Sequence, residues 1–450
     1  MIIKIKSLVR KAALYTILMW TCNTSAQNPI ITNQYTADPS ARVFKNRVYL
    51  FPSHDIPPHT NKNKENWFSM EDYHVFSSNN LRDWTDHGVI VTQNKVPWVK
   101  PDSYSMWAPD CIERNGKYYF YFPSTPKDTT IARGFTIGVA IADKPEGPYK
   151  VQQQPIKNVK GIDPNVFIDK DGQAYLYWSQ GNIYAAKLKE NMTELASEPI
   201  ILRNLPEKGL KEGPYLFERN GNYYLTYPHV ADKTERLEYA MGKNPLGPFT
   251  VSGVIMDESA NCWTNHHSVI EFKNQWYLFY HNNDLSPKFD KNRSVRIDSL
   301  SFNTDGTIKK VIPTLRGVGT TPAKSKIQTD RYSSLSTNGA SVELLDSSDA
   351  FKGWITILSS PKAFVSYNAV DFGSKKLKKV MVQGKASSGG TIEIRLDKID
   401  GTLLAKVNVA AGKQWTITEA TLLKYISGKH NIYIISAGDT PVEIDWISFE

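Results

Sequence analysis

The chain has 450 residues, of which 12% are aromatic and 22% charged, and its formal net charge is +9. This length predicts two or three domains, and the aromatic content with few helical patterns favours a β-rich protein. Lysine and arginine are scattered and form no basic stripe, so nothing in the charge pattern indicates a nucleic-acid partner.

Residues 1–26 have the pattern of a secretory signal peptide. Basic residues between Lys4 and Lys11 precede a short apolar run at 12–20 and a small-residue cleavage site at 24–26. The apolar run is shorter than the roughly 20 residues of a membrane span, and no later run is long enough. The sequence predicts an exported protein, periplasmic or extracellular, without a membrane span. Lipid attachment at Cys22 is the less favoured alternative.

An aromatic hairpin pattern recurs five times along the chain. Each copy is a turn dipeptide followed by aromatic or β-branched residues, the signature of a hairpin entering a half-buried strand. The copies are NRVYLF (46–51), NGKYYFYF (115–122), DGQAYLYW (171–178), NGNYYLTY (220–227) and NQWYLFY (274–280). One unit of about four strands used five times predicts a five-bladed β-propeller over residues 27–325.

A polar residue stands shortly before each aromatic run. These residues are Asp38, Asp110, Asp163, Glu212 and the pair His266 and His267. The first strand of a blade lines the axis of a propeller, so we expect these side chains to converge at one end of the central channel. Carboxylates that share a cavity raise one another's pKa, which is costly unless the protein uses them. The pattern therefore predicts an active site.

The character of the chain changes after residue 325. Serine- and lysine-rich segments carry short alternating strands such as TIEIRLDKI (391–399) and HNIYIIS (430–436), which predict a β-sandwich of jelly-roll type over residues 326–450. The fold class expected is all-β. Cys111 and Cys262 lie far apart in apolar contexts, so we expect two buried free thiols in preference to a disulfide.

The motifs in this order resemble glycoside hydrolase family 43. They are ADPS at Asp38, WAPD at 107–110, GIDPNVF at Asp163, KEGPYLF at Glu212 and TNHHSVIEF at 264–272, within residues 28–320. The terminal region resembles a family 6 carbohydrate-binding module through FVSYNAVDFG (364–373) and VEIDWISFE (442–450). The resemblance implies a hydrolase that inverts configuration and requires no cofactor.

The resemblance also implies roles for three acids. Asp38 would be the general base that activates water, Glu212 the general acid, and Asp163 the residue that orients the acid and raises its pKa. Physical chemistry supports this division, because an inverting site needs one ionised and one protonated carboxyl about 6.5 to 9.5 Å apart. A third carboxylate beside the acid would raise its pKa by repulsion.

Further residues match family positions that contact the sugar. Trp107 would stack on the sugar, Asp110 would support the pocket, and Arg293 would reach the sugar. His267 would lie beneath the pocket on the propeller axis. The resemblance allows a structural calcium ion at His267. Because neighbouring strand residues point to opposite faces, a zinc site using both histidines is disfavoured. Taken singly, each residue has a structural interpretation, such as aspartate before proline in a turn. The five-fold recurrence favours function.

The expected partner is a polysaccharide or oligosaccharide, and the sequence gives no indication of the oligomeric state. The loop at 53–73 could wall a pocket, which favours exo action on a terminal sugar. The resemblance implies an α-L-arabinofuranosidase, because removal of side chains is the commonest role of such pockets in the family. The alternatives are a β-xylosidase, or a β-galactofuranosidase or galactosidase. Retaining fructosidase relatives are disfavoured because their WMNDPNG motif is lacking. A non-catalytic glycan-binding propeller is the second alternative, but it would have no use for three acids on three blades. In the sandwich, Tyr367 and Trp446 are candidates for sugar binding, although core positions are favoured.

Overall fold

The computed structural model describes residues 28–57 and 66–450. The predicted signal peptide, Cys22 and part of the loop at 53–73 lie outside these residues. Strands dominate, with two short 3-10 turns at Gln93–Lys95 and Ala350–Lys352. In the described ranges, no helix is long and apolar enough to cross a membrane.

The first nineteen strands form five antiparallel sheets, which are the five predicted blades. Within each blade, consecutive strands pair in chain order. Blade 1 holds β1 (Ala37–Phe44), β2 (Arg47–Asp55), β3 (Met70–Ser78) and β4 (Thr85–Thr92). Blade 2 holds β5 (Asp110–Arg114), β6 (Lys117–Ser124), β7 (Thr136–Ala142) and β8 (Lys150–Val151). Blade 3 holds β9 (Ile162–Ile168), β10 (Ala174–Ser179), β11 (Ile183–Lys187) and β12 (Ile200–Ile201). Blade 4 holds β13 (Tyr215–Arg219), β14 (Asn222–Val230), β15 (Glu235–Gly242) and β16 (Phe249–Met256). Blade 5 holds β17 (His267–Phe272), β18 (Gln275–Asn282) and β19 (Ser294–Leu300).

The repeated dipeptides mark the turn between the first two strands of each blade, although in blades 1 and 5 the turn residues are Lys45-Asn46 and Lys273-Asn274 and the second dipeptide residue begins the next strand. At Asn115 and Gly116, φ is 52° and 75°, and at Asn220 and Gly221 it is 51° and 75°. Two successive residues with positive φ match the right-handed twist of the flanking strands, and Asn-Gly adopts this turn at little cost. The turn chemistry in the sequence therefore sets where each blade begins.

Apolar clusters fill all five junctions between neighbouring blades. Phe51 of blade 1 meets Phe120 of blade 2 with ring centroids 5.8 Å apart, and similar clusters join blades 2 to 3, 3 to 4 and 4 to 5. A cluster containing Leu50 and Phe279 joins blade 5 back to blade 1. Fully burying one such side chain contributes about 1.5–3 kcal/mol, so the aromatic runs hold the ring closed.

The segment 28–36 runs along β19 of the last blade. The backbone N–H of Ile30 donates to the carbonyl of Val295, and that of Thr36 to the carbonyl of Arg293, both at 2.9 Å. Because this segment leads directly into β1 of the first blade, it joins the two ends of the ring and fixes the start of β1 beside blade 5.

The C-terminal region is a sandwich of two sheets around one apolar core, as predicted. One sheet holds β20 (Thr321–Pro322), β22 (Ser334–Leu335), β25 (Phe364–Asp371), β27 (Gly390–Leu396), β28 (Leu403–Val409) and β30 (Lys429–Ser436). The other holds β21 (Ile327–Gln328), β23 (Ala340–Leu344), β24 (Trp354–Leu358), β26 (Lys379–Ala386), β29 (Gly412–Thr421) and β31 (Val442–Phe449). Because β20 already pairs with β25, the sandwich begins a few residues before the predicted boundary at 326.

Tyr367 and Trp446 belong to the core of the sandwich. Tyr367 is fully buried and donates its hydroxyl to the carbonyl of Thr329, and Trp446 is buried beneath the ammonium of Lys326. Neither ring presents a free face to a sugar. The two thiols at Cys111 and Cys262 are also buried and free, as expected.

Candidate active site

A cavity of about 230 Å³ opens near the starts of the first strands of the blades. The three predicted catalytic acids, Asp38, Asp163 and Glu212, all line it. The other residues in its wall are Trp67, Phe68, Met70, Trp107, Ala108, Ile162, Leu210, Glu235, Trp263, Thr264, Asn265, His266 and Arg293. The predicted convergence of acids from different blades is therefore present.

Asp38 is held at the start of β1 by directed hydrogen bonds. Arg293 donates from Nη1 and Nη2 to its two oxygens at 2.8 and 3.2 Å, and the Ser53 hydroxyl donates at 2.7 Å. Burial raises the pKa of this carboxyl, but the Arg293 guanidinium, the neighbouring imidazoles of His281 and His266 and the Ser53 hydrogen bond together outweigh burial and bring the pKa to about 2. Asp38 is therefore ionised at neutral pH, as a general base must be.

Arg293 is fixed by a second carboxylate. The carboxylate of Asp55, on β2, accepts hydrogen bonds from Nε and Nη2 of Arg293 at 2.9 Å each. It also accepts the backbone N–H of Arg293 at 2.8 Å. The ring of Phe68 packs against the guanidinium, with its centroid 4.8 Å from the guanidinium carbon. The structure thus gives Arg293 a firm position beside Asp38 in the cavity wall, while its contact with a sugar stays a prediction.

Asp38 and Asp163 occupy equivalent, strained positions in blades 1 and 3. Each is the second residue of the first strand and precedes a proline, with φ of 46° and 57°. Positive φ is uncommon outside glycine, a following proline favours extended backbone, and such strain costs about 1–3 kcal/mol. Both side chains reach the cavity from this backbone geometry, which a regular strand would not provide.

The turn that carries Glu212 is tied to Asp163. The backbone N–H of Gly213 donates to Oδ2 of Asp163 at 3.0 Å. Gly213 has a φ of 53°, and a Cβ atom there would lie 3.0 Å from the Pro228 ring. The glycine that follows the acid in the sequence is therefore required for both conformation and space.

Three acids line the cavity close together and have raised pKa values. They are Asp163, Glu212 and Glu235. Burial is the main cause that raises the pKa of each, and repulsion from Glu212 raises those of Asp163 and Glu235 further. For Glu212, a hydrogen bond with Glu235 lowers the pKa and the charge of Asp38 raises it. Because burial and mutual repulsion disfavour three negative charges side by side, these acids hold their protons to higher pH than ordinary carboxyl groups do.

This result changes the expected role of Asp163. We expected a negative charge on Asp163 to raise the pKa of Glu212, but burial is the larger cause, and Asp163 is itself driven toward its protonated form. The contact of Asp163 with the Gly213 N–H is an orienting one, which agrees with the other half of the prediction.

Aromatic rings form much of the remaining wall. The Trp107 ring packs against Phe135 and Phe68, with centroids 4.6 and 5.9 Å apart, and Trp67 and Trp263 stand partly exposed at the rim. Such rings suit the apolar faces of a sugar. Trp67 and Phe68 come from the described part of the loop at 53–73, which does wall one side.

The position of Asp110 differs from the one expected. Its carboxylate does not line the cavity and instead joins blades 1 and 3 to its own blade 2. Ser40 donates to it at 2.6 Å, Arg42 forms an ion pair with it, and the Val166 N–H donates at 2.7 Å. With both oxygens bonded and the residue buried, Asp110 braces three blades and presents no free oxygen to the cavity.

The histidine pair also needs a correction. His266, and not His267, lines the cavity. The Nε2 of His267 lies 2.6 Å from the Thr226 hydroxyl, and burial lowers the pKa of this imidazole well below its ordinary value, so it is neutral. Because His267 does not line the cavity, the structure does not support the predicted contact between His267 and the substrate.

The surroundings of His267 give mixed support for a calcium ion. Its Nδ1 atom is buried without a partner, which would suit a ligand. Calcium prefers six to eight oxygen ligands, yet His267 belongs to no group of three potential His, Cys, Asp or Glu ligands within the described ranges. The described carboxylates and imidazoles therefore form no calcium cage around His267, and a calcium ion at this position stays a prediction.

Several residues of the wall were not predicted from the sequence. Glu235 occurs in a strand without a turn motif, and so does Asp55, which holds Arg293 from outside the wall. Trp263 precedes the histidine motif, and Asn265 lies inside it without an expected role. Asp55 is followed by Ile-Pro-Pro, and Glu235 is preceded by Lys-Thr, which are ordinary surface patterns. No local signal marks these acids, because their burial comes from other blades.

Comparison with known proteins agrees with this geometry. The model of glycosyl hydrolases family 43 matches residues 26–308, and that of the family 6 carbohydrate binding module matches residues 323–450. The chain is 38% identical to the xylosidase/arabinosidase 43A of Humicola insolens, over 62% of this chain and 98% of the relative. It is 27% identical to the arabinoxylan arabinofuranohydrolase of Bacillus subtilis, over 91% of this chain and 89% of the relative.

Solved structures resemble the protein in the same way. One is a family 43 β-xylosidase/α-arabinofuranosidase from a compost microbial metagenome, solved in complex with xylotriose in a calcium-free form. It is 36% identical, has a TM-score of 0.58, and the match covers 64% of this chain and 98% of that one. The Bacillus subtilis arabinoxylan arabinofuranohydrolase in complex with cellotetraose is 25% identical with a TM-score of 0.54, covering 95% and 99%. With the acids of the cavity in place, the chain belongs to glycosyl hydrolase family 43 and is a glycoside hydrolase with a C-terminal family 6 module.

Proposed function

We propose that the protein is an exo-acting, inverting α-L-arabinofuranosidase that removes terminal arabinose from plant-type polysaccharides such as arabinoxylan. The observation that carries this proposal is that one small cavity holds two carboxyl groups whose pKa values are shifted in opposite directions. Arg293 keeps Asp38 ionised, and burial raises the pKa of Glu212 so that it can hold a proton. An inverting site needs this combination of base and acid.

The geometry suggests how the residues would act. Asp38 takes a proton from a water molecule, whose oxygen attacks the anomeric carbon. Glu212 gives its proton to the glycosidic oxygen as that bond breaks. The step leaves a protonated Asp38 and an ionised Glu212, and exchange with solvent resets both. General acid and base assistance contributes about 10²- to 10⁴-fold each.

The size of the cavity supports exo action. Its volume of about 230 Å³ lies below the roughly 300–1,000 Å³ of sites for drug-sized ligands, so it suits a single sugar ring. A more open cleft of about 610 Å³ adjoins it and also reaches Glu212. Arg133, Lys160 and Gln180 line that cleft. Since Glu212 borders both spaces, the leaving group would lie in the cleft while the terminal sugar fills the cavity.

The choice of arabinofuranose rests on domain organisation. Relatives matched along 91% of this chain, from Paenibacillus polymyxa and Bacillus subtilis, are arabinoxylan arabinofuranohydrolases. A β-xylosidase is the second candidate, favoured by the 33% identity to the β-xylosidase of Xylanibacter ruminicola. A β-galactofuranosidase is a third, and the one of Aspergillus niger is 31% identical.

We also infer that the chain is exported, with residues 1–26 as its signal peptide, and that the sandwich raises the local concentration of polysaccharide. Because Tyr367 and Trp446 are core residues, the sugar-contacting surface of the sandwich lies elsewhere.

A panel of 4-nitrophenyl α-L-arabinofuranoside, β-D-xylopyranoside and β-D-galactofuranoside tests the proposal. We expect fastest release from the arabinofuranoside, and proton NMR during cleavage should first show the anomer of inverted configuration. Asp38→Asn is the control without a base. First appearance of the retained anomer would contradict inversion. A faster xyloside reaction would select the second candidate, and retention on polysaccharide gels without any cleavage would select the non-catalytic alternative.

A further inference from the structure

Glu235 is a buried acid of the cavity wall that the catalytic scheme leaves without a role. It begins β15, and its Oε2 atom accepts the backbone N–H of Asn265 at 2.6 Å. Its Oε1 atom is buried and receives no N–H or hydroxyl donor from the described residues. The side chain is only 1% exposed, so bulk solvent hardly reaches it. A group of this kind needs another partner.

The carboxyl group of Glu212 is that partner. Both side chains line the same cavity, and each shifts the pKa of the other. Two buried carboxyl groups this close avoid two adjacent negative charges by sharing a proton. The charge of Arg293 lowers the pKa of Glu212, but its guanidinium is paired with Asp38 and Asp55. The ammonium of Lys211 donates to the carbonyl of Gly209 at 2.9 Å. The pair is therefore an acid dyad held together by a proton.

The other titratable groups that face the dyad do not supply positive charge. Asp163 and Asp38 are acids, and the buried imidazole of His266 has a lowered pKa and is neutral at pH 7. Burial and repulsion from Glu212 raise the pKa of Glu235 well above its ordinary value. The surroundings thus favour a proton that stays on Glu235.

We propose that Glu235 is a positioning residue that remains protonated through the reaction and donates a hydrogen bond to Glu212. The proton that leaves for the glycosidic oxygen comes from Glu212, and the proton of Glu235 stays where it is. As Glu212 becomes a carboxylate, the hydrogen bond from Glu235 stabilises the charge that develops. The inference rests on the proposed role of Glu212 as general acid.

Two variants of Glu235 separate this role from a structural one. Glu235→Gln keeps an N–H donor but cannot ionise, whereas Glu235→Ala removes the donor. The matched control is Glu238→Gln on the same strand. Glu238 is also a buried acid, but it is paired with Arg236 and His229 at 2.6 and 3.0 Å and lies outside the cavity wall.

The basic limb of the pH profile of kcat/KM reports the general acid. We expect Glu235→Gln and the Glu238→Gln control to keep the wild-type limb. Glu235→Ala should move it upward by about one to two pH units, the worth of one hydrogen bond to a charged acceptor. A downward move in Glu235→Gln would show that Glu235 is ionised in the wild type and would overturn the proposal.

Leaving-group dependence supplies a second readout. The leaving group of an arabinoxylan oligosaccharide needs a proton, so Glu235→Ala should lower kcat on this substrate by about 10- to 100-fold, within the range of general acid catalysis. Dinitrophenolate leaves without protonation, so kcat on the dinitrophenyl glycoside should fall by less than about threefold. Equal losses on both substrates would mean that Glu235 acts only through folding.

A measurement without substrate keeps the proposal testable if the proposed activity fails. In protein labelled with carboxyl-¹³C glutamate, NMR should show one glutamic acid still protonated above pH 7. This signal should vanish in Glu235→Gln and persist in Glu238→Gln. Its absence from the wild type would refute the proposal whatever the enzyme hydrolyses.

Discussion

Ser53→Ala tests how the protein keeps its base ionised. The Ser53 hydroxyl is fully buried and donates to Oδ2 of Asp38 at 2.7 Å. The substitution removes only an oxygen atom and leaves the Arg293 ion pair in place. It therefore isolates one hydrogen bond to the charged form of the carboxyl.

The structure gives the size of the effect. The pKa of Asp38 falls from an ordinary value of 3.8 to about 2, which corresponds to about 2.4 kcal/mol at 1.36 kcal/mol per unit. A hydrogen bond to a charged group contributes about 1.5–3 kcal/mol, so its loss should raise the pKa by roughly one to two units, to roughly 3–4.

The same shift affects stability. Because the folded pKa of Asp38 is depressed, its ionisation stabilises the folded state above its unfolded pKa, and this contribution is lost as pH falls toward 2. Ser53→Ala should therefore lower the free energy of unfolding at neutral pH by roughly 1.5–3 kcal/mol, with a smaller loss at low pH.

The assay is the acid limb of kcat/KM, measured by short exposures to low pH. The limb should move upward by about one to two units in Ser53→Ala. Ser40→Ala is the matched control, since Ser40 donates at 2.6 Å to the buried carboxylate of Asp110, outside the cavity. It should reduce stability without moving the limb. An unchanged limb in Ser53→Ala, or an equal shift in Ser40→Ala, would refute the reasoning.

Asp38→Asn should reduce hydrolysis of every substrate by about 10²- to 10⁴-fold while calorimetry still detects binding of the sugar; near-normal rates would exclude Asp38 as the base. Glu212→Gln should lose a similar factor on oligosaccharides but much less on dinitrophenyl glycosides, and equal losses would exclude an acid role. With Glu212 intact, kcat/KM should fall as pH rises through its raised pKa; a basic limb at an ordinary glutamate value would contradict this. Gly213→Ala should lower the free energy of unfolding by about 1–3 kcal/mol, because of its φ of 53° and the close Pro228 ring; unchanged thermal unfolding would show that the turn adapts.

The sequence predicted the blades and the three acids that meet in one cavity because both carry local signals. An Asn-Gly or Asp-Gly dipeptide specifies a hairpin turn through its own φ angles, and alternating aromatic residues specify a half-buried strand. Asp38, Asp163 and Glu212 follow one repeat position, so recurrence marked them. Asp110 shares that position yet braces three blades, which shows that recurrence places a side chain near the axis without giving its role.

Sequence by itself therefore determined the all-β class, the five blades with their sandwich, and the acids that reach the axis. Only the tertiary structure decided the charge states and the true wall of the cavity. Asp38 and Arg293 are 255 residues apart in the chain, and Glu235 becomes a buried acid only when the segment at Asn265 covers it. Protonation depends on desolvation and on charges within a few ångströms, and in a closed ring those neighbours come from other blades.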